Sequence, residues 1–133
     1  MLPASIIKVL VVDDSKAARE LLCATLEELP GAEVTEAPGG FDALKLLPRH
    51  HFDLIITDIN MPDINGLELI NFVKKNPSYR DVPLFILSSE AREQDRQRGL
   101  ALGAVEYLTK PFEPRALLER VRLHLGMRAQ QAD

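Results

Sequence analysis

Residues 9–22 read VLVVDDSKAARELL: four apolar residues run into two aspartates, and a serine then opens a segment of helix formers. The longer run IIKVLVVD (6–13) is continuously apolar apart from Lys8, the pattern of a strand covered on both faces. Such a strand delivers Asp13 and Asp14 together at its carboxyl end, where two like charges repel unless something holds them. The segment SKAARELLCATLEEL (15–29) places Ala18, Leu22, Leu26 and Leu29 on one helical stripe, and Pro30-Gly31 stops it.

The same unit recurs along the chain. AEVTEA (32–37) alternates as a short strand, and GGFDALKLLPRH carries a helix at about 41–47. FDLIITD (52–58) is a second strongly apolar strand ending in an aspartate, followed by Asn65-Gly66 and the helix LELINFVKK (67–75). VPLFILSS (82–89) is a third, ending in two serines, with a more polar helix after it at about 91–101. AVEYLT (104–109) is the last strand, and the last helix starts near Pro114 and runs to about Leu125. Strands alternating with helices of this length predict an α/β fold, a (βα)5 doubly wound, five-stranded parallel sheet with right-handed crossovers. No linker or repeat divides the 133 residues, so one domain is expected over 1–133, with a core at about 6–125 and a short C-terminal tail.

Composition narrows the function classes. Apolar residues make up 46% of the chain, enough for a substantial core, and the net charge of −4 with interspersed signs argues against direct nucleic-acid binding. The single cysteine, Cys23, forms no internal disulfide and is read as a small core-side residue in a reducing compartment. Nothing reaches the ~18 apolar residues of a membrane span, so a cytoplasmic protein without membrane insertion is expected.

Ligands of doubly wound sheets bind outside the carboxyl ends of the strands. With strand order 2-1-3-4-5, strands 1 and 3 are neighbours, and Asp13, Asp14 and Asp58 converge. Three carboxylates so placed need a counter-charge, and a hard divalent cation with oxygen ligands supplies it: Mg2+, with Mn2+ as the alternative ion. Ser88 offers a hydroxyl and Lys110 an ammonium at the same sheet edge, a set suited to phosphoryl transfer onto a carboxylate.

VLVVDDS, DLIITDINMPDINGLELI, VPLFILSSEA and GAVEYLTKPF, in this order, resemble the receiver domain of two-component response regulators. The resemblance covers about residues 6 to 125 and implies a CheY-like phosphoprotein in phosphorelay signal transduction. Asp58 would be the phosphoacceptor. Asp13 and Asp14 would bind Mg2+ with Asp58 and the backbone carbonyl of Asn60. Ser88 and Lys110 would bond phosphoryl oxygens, Tyr107 would turn inward when Ser88 moves, and Lys110-Pro111 would be a cis peptide. Asn60 and Glu90 occupy the positions that tune phosphoryl lifetime in the family, implying self-hydrolysis in seconds to minutes. The domain would catalyse only its own phosphorylation and dephosphorylation and would not be an enzyme in the ordinary sense. The implied donor is a sensor histidine kinase or phosphotransfer domain. An output protein would bind helix 4, strand 5 and helix 5, most simply in a single-domain, chemotaxis-type regulator.

Receivers joined to winged-helix DNA-binding domains dimerise through ion pairs on that same face. Here Val105, Ala116 and Met127 stand where charges are expected, leaving Glu106, Arg96 and Arg120 mostly without partners, so a monomer or weak dimer is expected. His50-His51 precede strand 3, at the sheet end away from the acids, and read as solvated loop. His124 reads as surface, and Arg92, Arg96 and Arg98 as a solvated face interleaved with Glu93 and Asp95. The alternatives are a receiver piece of a hybrid kinase or DNA-binding regulator, a phosphorylation-independent interaction module, and a haloacid-dehalogenase-type aspartyl-phosphate phosphatase. The last normally carries its nucleophile on the first strand. Flavodoxin shares the architecture, but this first loop is acidic where a flavin phosphate needs hydroxyls and N–H groups.

Overall fold

The structure is a computed structural model, and it describes residues 6–126. Met127 and the tail 127–133 lie outside the described residues. Five strands alternate with five helices: β1 (Ile7–Val12), α1 (Lys16–Leu26), β2 (Ala32–Ala37), α2 (Gly40–Leu46), β3 (Leu54–Thr57), α3 (Gly66–Lys75), β4 (Leu84–Ser88), α4 (Glu93–Leu102), β5 (Glu106–Thr109) and α5 (Pro114–His124). All pairings are parallel, in the order β2-β1-β3-β4-β5. The expected fold class and strand order are both present.

The side-chain alternation of the central strands divides the core in two. Leu10, Val12, Ile55, Leu84 and Ile86 face α2, α3 and α4, where Ala43, Leu69, Ile70 and Val73 meet them. Val9, Val11, Leu54, Ile56, Phe85 and Leu87 face α1 and α5, against Leu22, Leu26, Leu117, Leu118 and Val121. Burying each such side chain is worth about 1.5–3 kcal/mol, so the apolar runs of the central strands stay inside the sheet.

The strands other than β2 are shorter than their apolar runs, and two helix ends differ from the sequence reading for a local reason. α1 ends at Leu26 instead of continuing to Leu29, because Glu28 and Leu29 donate to Thr25 and Leu26, bonds of a tightened turn. Leu29 is still fully buried. After α2 a 3₁₀ turn at Leu47–Arg49 carries Pro48, which has no N–H to continue an α-helix. Cys23 is half-buried rather than in the core, and its thiol is pushed up to about 11, chiefly by burial.

Candidate phosphoryl and metal site

β1 and β3 pair through Val12 and Thr57, so the residues that follow, Asp13 and Asp58, emerge side by side. The Asp58 N–H donates to the Val12 carbonyl at 2.9 Å, fixing that registry. Asp13 is 3% exposed and Asp58 9%, while Asp14 faces solvent. One carboxylate oxygen from each of the three lies within 4.8 Å of the others.

Each acid is held by its own loop. Asp13 Oδ1 accepts from the Ser15 N–H at 2.9 Å, and Ser15 caps α1 by accepting from Ala18. Arg19 Nη1 donates to the Asp13 carbonyl at 2.6 Å. Asp58 Oδ1 accepts from the Ile59 N–H at 2.7 Å. The Gly66 N–H closes this loop onto the Ile59 carbonyl at 2.8 Å, and a Cβ on Gly66 would lie 2.1 Å from the Asp58 carbonyl oxygen. Only glycine fits there, which accounts for the Asn65-Gly66 pair that opens α3.

From β5, Lys110 Nζ reaches Asp13 Oδ2 at 2.6 Å and Asp58 Oδ2 at 3.3 Å. Burial works to lower the pKa of this ammonium, but the Asp13 hydrogen bond and the charges of Asp58 and Asp13 outweigh it and hold the pKa above the ordinary lysine value. One ammonium against three carboxylates leaves two negative charges in excess. An oxygen donor set with that excess fits a hard divalent cation. Lys110-Pro111 is a cis peptide, as the resemblance implied.

Ser88 ends β4 fully buried, whereas Ser89 is exposed; the Ser88 hydroxyl accepts from the Glu90 N–H at 3.1 Å. Tyr107 is 9% exposed, and its hydroxyl donates to the Glu90 carbonyl at 2.6 Å. Burial foremost raises its pKa, with Ser88 opposing. Asn60 Nδ2 donates to Glu90 Oε1 at 3.0 Å, so the loops after β3 and β4 are bridged beside the acids.

Glu106 and Arg120, read as having lost their partners across a dimer face, pair with each other within the chain: Glu106 accepts from Arg120 Nε at 2.9 Å and is also paired with Arg120 Nη2. His124 is not simply surface: its Nε2 lies 2.7 Å from the same carboxylate, and its ring packs edge-on against Phe85. Residues 14 and 18 apart in sequence meet here because α5 runs back along β5, and only the fold sets that spacing. Arg96 does pair locally, with Glu93 at 3.5 Å. His50 and His51 lie before β3, beside a cleft of about 360 Å3 that Phe52 and Tyr79 also line, away from the acids as expected.

Residues 9–122 match the response regulator receiver domain model. A chemotaxis protein CheY homolog from Campylobacter jejuni is 38% identical over 120 residues, covering 90% of this chain and 92% of its own. The phosphate regulon transcriptional regulatory protein PhoB of Klebsiella pneumoniae is 37% identical over 115 residues, or 86% of this chain, which spans 50% of PhoB. The structure of the chemotaxis response regulator CheY4 of Vibrio cholerae superposes with a TM-score of 0.82 at 37% identity, over 90% of this chain and 98% of that one.

Proposed function

The chain belongs to the response regulator receiver family, and we propose that it takes a phosphoryl group onto Asp58 from the phosphohistidine of a sensor kinase or phosphotransfer domain. The convergence of Asp13, Asp14, Asp58 and Lys110 at the carboxyl ends of β1, β3 and β5 carries this reading. An Asp58 carboxylate oxygen attacks phosphorus, the P–N bond breaks, its electron pair goes to the ring nitrogen, and the imidazole leaves neutral after taking a proton from water. Lys110 balances charge on the transferring oxygens, and the Ser88 hydroxyl can donate to one of them. Asp13, Asp14, Asp58 and the Asn60 carbonyl would hold Mg2+, which supplies positive charge to the phosphoryl oxygens when bound. Donor and acceptor would meet in the cytoplasm. Among the described residues no helix is long and apolar enough to cross a membrane.

The signal leaves through Glu90. Its N–H is bound to Ser88, its carbonyl to Tyr107 and its side chain to Asn60, so a Ser88 that turns toward a phosphoryl group disturbs all three. Tyr107 and α4 then rearrange the face of α4, β5 and α5 that meets the output protein. Asn60 and Glu90 set a phosphoryl lifetime of seconds to minutes. Similarity to CheY homologs supports a regulator of the chemotaxis type, and similarity to PhoB supports the second reading, a receiver of a DNA-binding regulator.

The test is intact-mass spectrometry after acetyl phosphate with Mg2+, beside Asp58→Asn and a chelated control. One labile phosphoryl adduct that requires both Asp58 and the metal is expected. No adduct on a folded wild type would leave a phosphorylation-independent module.

A further inference from the structure

Asp63 belongs to the loop after β3, yet its carboxylate serves another element. α2 begins at Gly40, and its N-cap, Gly39, makes no side-chain bond to the first turn. A helix start leaves N–H groups without acceptors inside the helix. Asp63 supplies them: Oδ1 accepts from the Gly40 N–H at 3.1 Å and Oδ2 from the Phe41 N–H at 2.9 Å. Oδ1 also accepts from the Ile64 N–H of its own loop at 2.7 Å. These donors, Phe41 foremost, hold the carboxyl below the ordinary aspartate range. The approach is tight: a Cβ on Gly39 would lie 2.7 Å from Asp63 Oδ2, and one on Gly40 2.1 Å from Ile64 Cγ1.

The two structures tied together by Asp63 both reach the acid cluster. Its loop starts at Asp58, contains Asn60, and is closed by Gly66 on Ile59. The segment entering α2 is bound to the first acid loop, where the Asp13 N–H donates to the Ala37 carbonyl at 3.1 Å. The first turn of α2 is therefore attached to both acid-bearing loops.

We propose that Asp63 is a positioning residue that couples occupancy of the acid cluster to α2. The inference rests on the reading above, that a divalent ion and a phosphoryl group are taken up at Asp58. A ligand that draws on the Asp58 carboxylate and the Asn60 carbonyl displaces residues 59–65, and the Asp63 bonds carry that displacement to Gly40 and Phe41. Coupling of this kind is reciprocal, so a loosened α2 weakens ion binding.

The experiment follows the backbone amides of the full chain by NMR as Mg2+ is added, in the wild type, in Asp63→Ala, and in Asp63→Ala with Gly39→Ser. The serine gives α2 a cap of its own in the space that the Asp63 carboxylate vacates. In the wild type, the Gly40 and Phe41 amides are expected to shift together with those beside Asp13 and Asp58. In Asp63→Ala the α2 shifts disappear and the Mg2+ dissociation constant rises about three- to tenfold. In the double variant the thermal midpoint recovers and the weakened Mg2+ affinity persists. Recovery of both would reduce Asp63 to a helix cap and overturn the coupling. Wild-type shifts confined to the acid loops would overturn it too, with the site reading intact, whereas Mg2+ that shifts no residue near Asp13, Asp14 or Asp58 would sink both.

Discussion

α3 and α4 are neighbours on one face of the sheet and each has 10 residues, but they are held in different ways. α3 opens with a capping box, in which Asn65 Oδ1 accepts from the Glu68 N–H at 2.9 Å and Glu68 Oε1 from the Asn65 N–H at 3.1 Å. It buries Gly66, Leu69, Ile70 and Val73, and Lys74 and Lys75 complement the negative end of its dipole. α4 has Arg92 as its N-cap residue, with no side-chain cap bond, and fully buries only Gly99. Its ion pairs, Arg92–Asp95 at 3.3 Å and Arg96–Glu93 at 3.5 Å, are exposed and worth about 0–1 kcal/mol each. The helix that follows Asp58 is thus anchored from both ends, and the helix that follows Ser88 and Glu90 rests on few contacts. Elements of low local stability are the ones that rearrange at small cost, which suits α4 to the output role proposed for it and α3 to the fixed side of the candidate site.

The largest test of this contrast is core truncation. Ile70→Ala in α3 is expected to cost about 3 kcal/mol, and Leu100→Ala in α4, where the side chain is half-buried, about 1 kcal/mol, both read by urea unfolding. Equal costs would erase the distinction. Capping comes next: Asn65→Ala should lose about 1 kcal/mol, whereas Arg92→Ser gives α4 the cap it lacks and should gain about 0.5 kcal/mol. Hydrogen exchange of the α4 amides should slow in Arg92→Ser, and unchanged exchange would mean that α4 is not limited by its start.

The smallest expected effect concerns Glu106 on β5, at the edge of the proposed output face. Burial works to raise the pKa of the Glu106 carboxyl, but the hydrogen bonds and charges of Arg120 and His124 outweigh it and hold the pKa below the ordinary glutamate range. Stability from a lowered carboxyl is present above the unfolded pKa and is lost as pH falls through the folded one. Glu106→Gln should therefore lower the thermal midpoint at neutral pH, and its gap from the wild type should close in acid below about pH 4. A gap that does not change with pH would show that the pair contributes packing and not charge.

Much of the candidate site is legible in the sequence because its residues stand at strand ends. A buried strand announces itself by an apolar run, so the polar residues that close each run mark the carboxyl edge of the sheet, where Asp13, Asp58, Ser88 and, past Thr109, Lys110 stand. The contacts that link these residues to the rest are not legible there. The cluster of Glu106, Arg120 and His124 is not readable from sequence because each lies on a different turn or element, and no local period brings them together. Asp63 is likewise not marked out in the sequence, since its amide partners are 22 and 23 residues away. The glycines at 39 and 40 are a signal of close approach, but nothing in the sequence names what approaches.

The sequence by itself determined the alternation of strands and helices, the order in which they occur and the strand ends that carry acids, because burial and backbone periodicity act within a few residues. Tertiary structure alone decided that Lys110 bonds Asp13 across 97 residues, that the Tyr107 hydroxyl finds the Glu90 carbonyl, and that Asp63 caps a helix it does not precede. Those contacts depend on how the loops of separate βα units lie over the sheet, and hydrogen bonds reach only about 3 Å. Whether two such loops meet is a property of the packed whole.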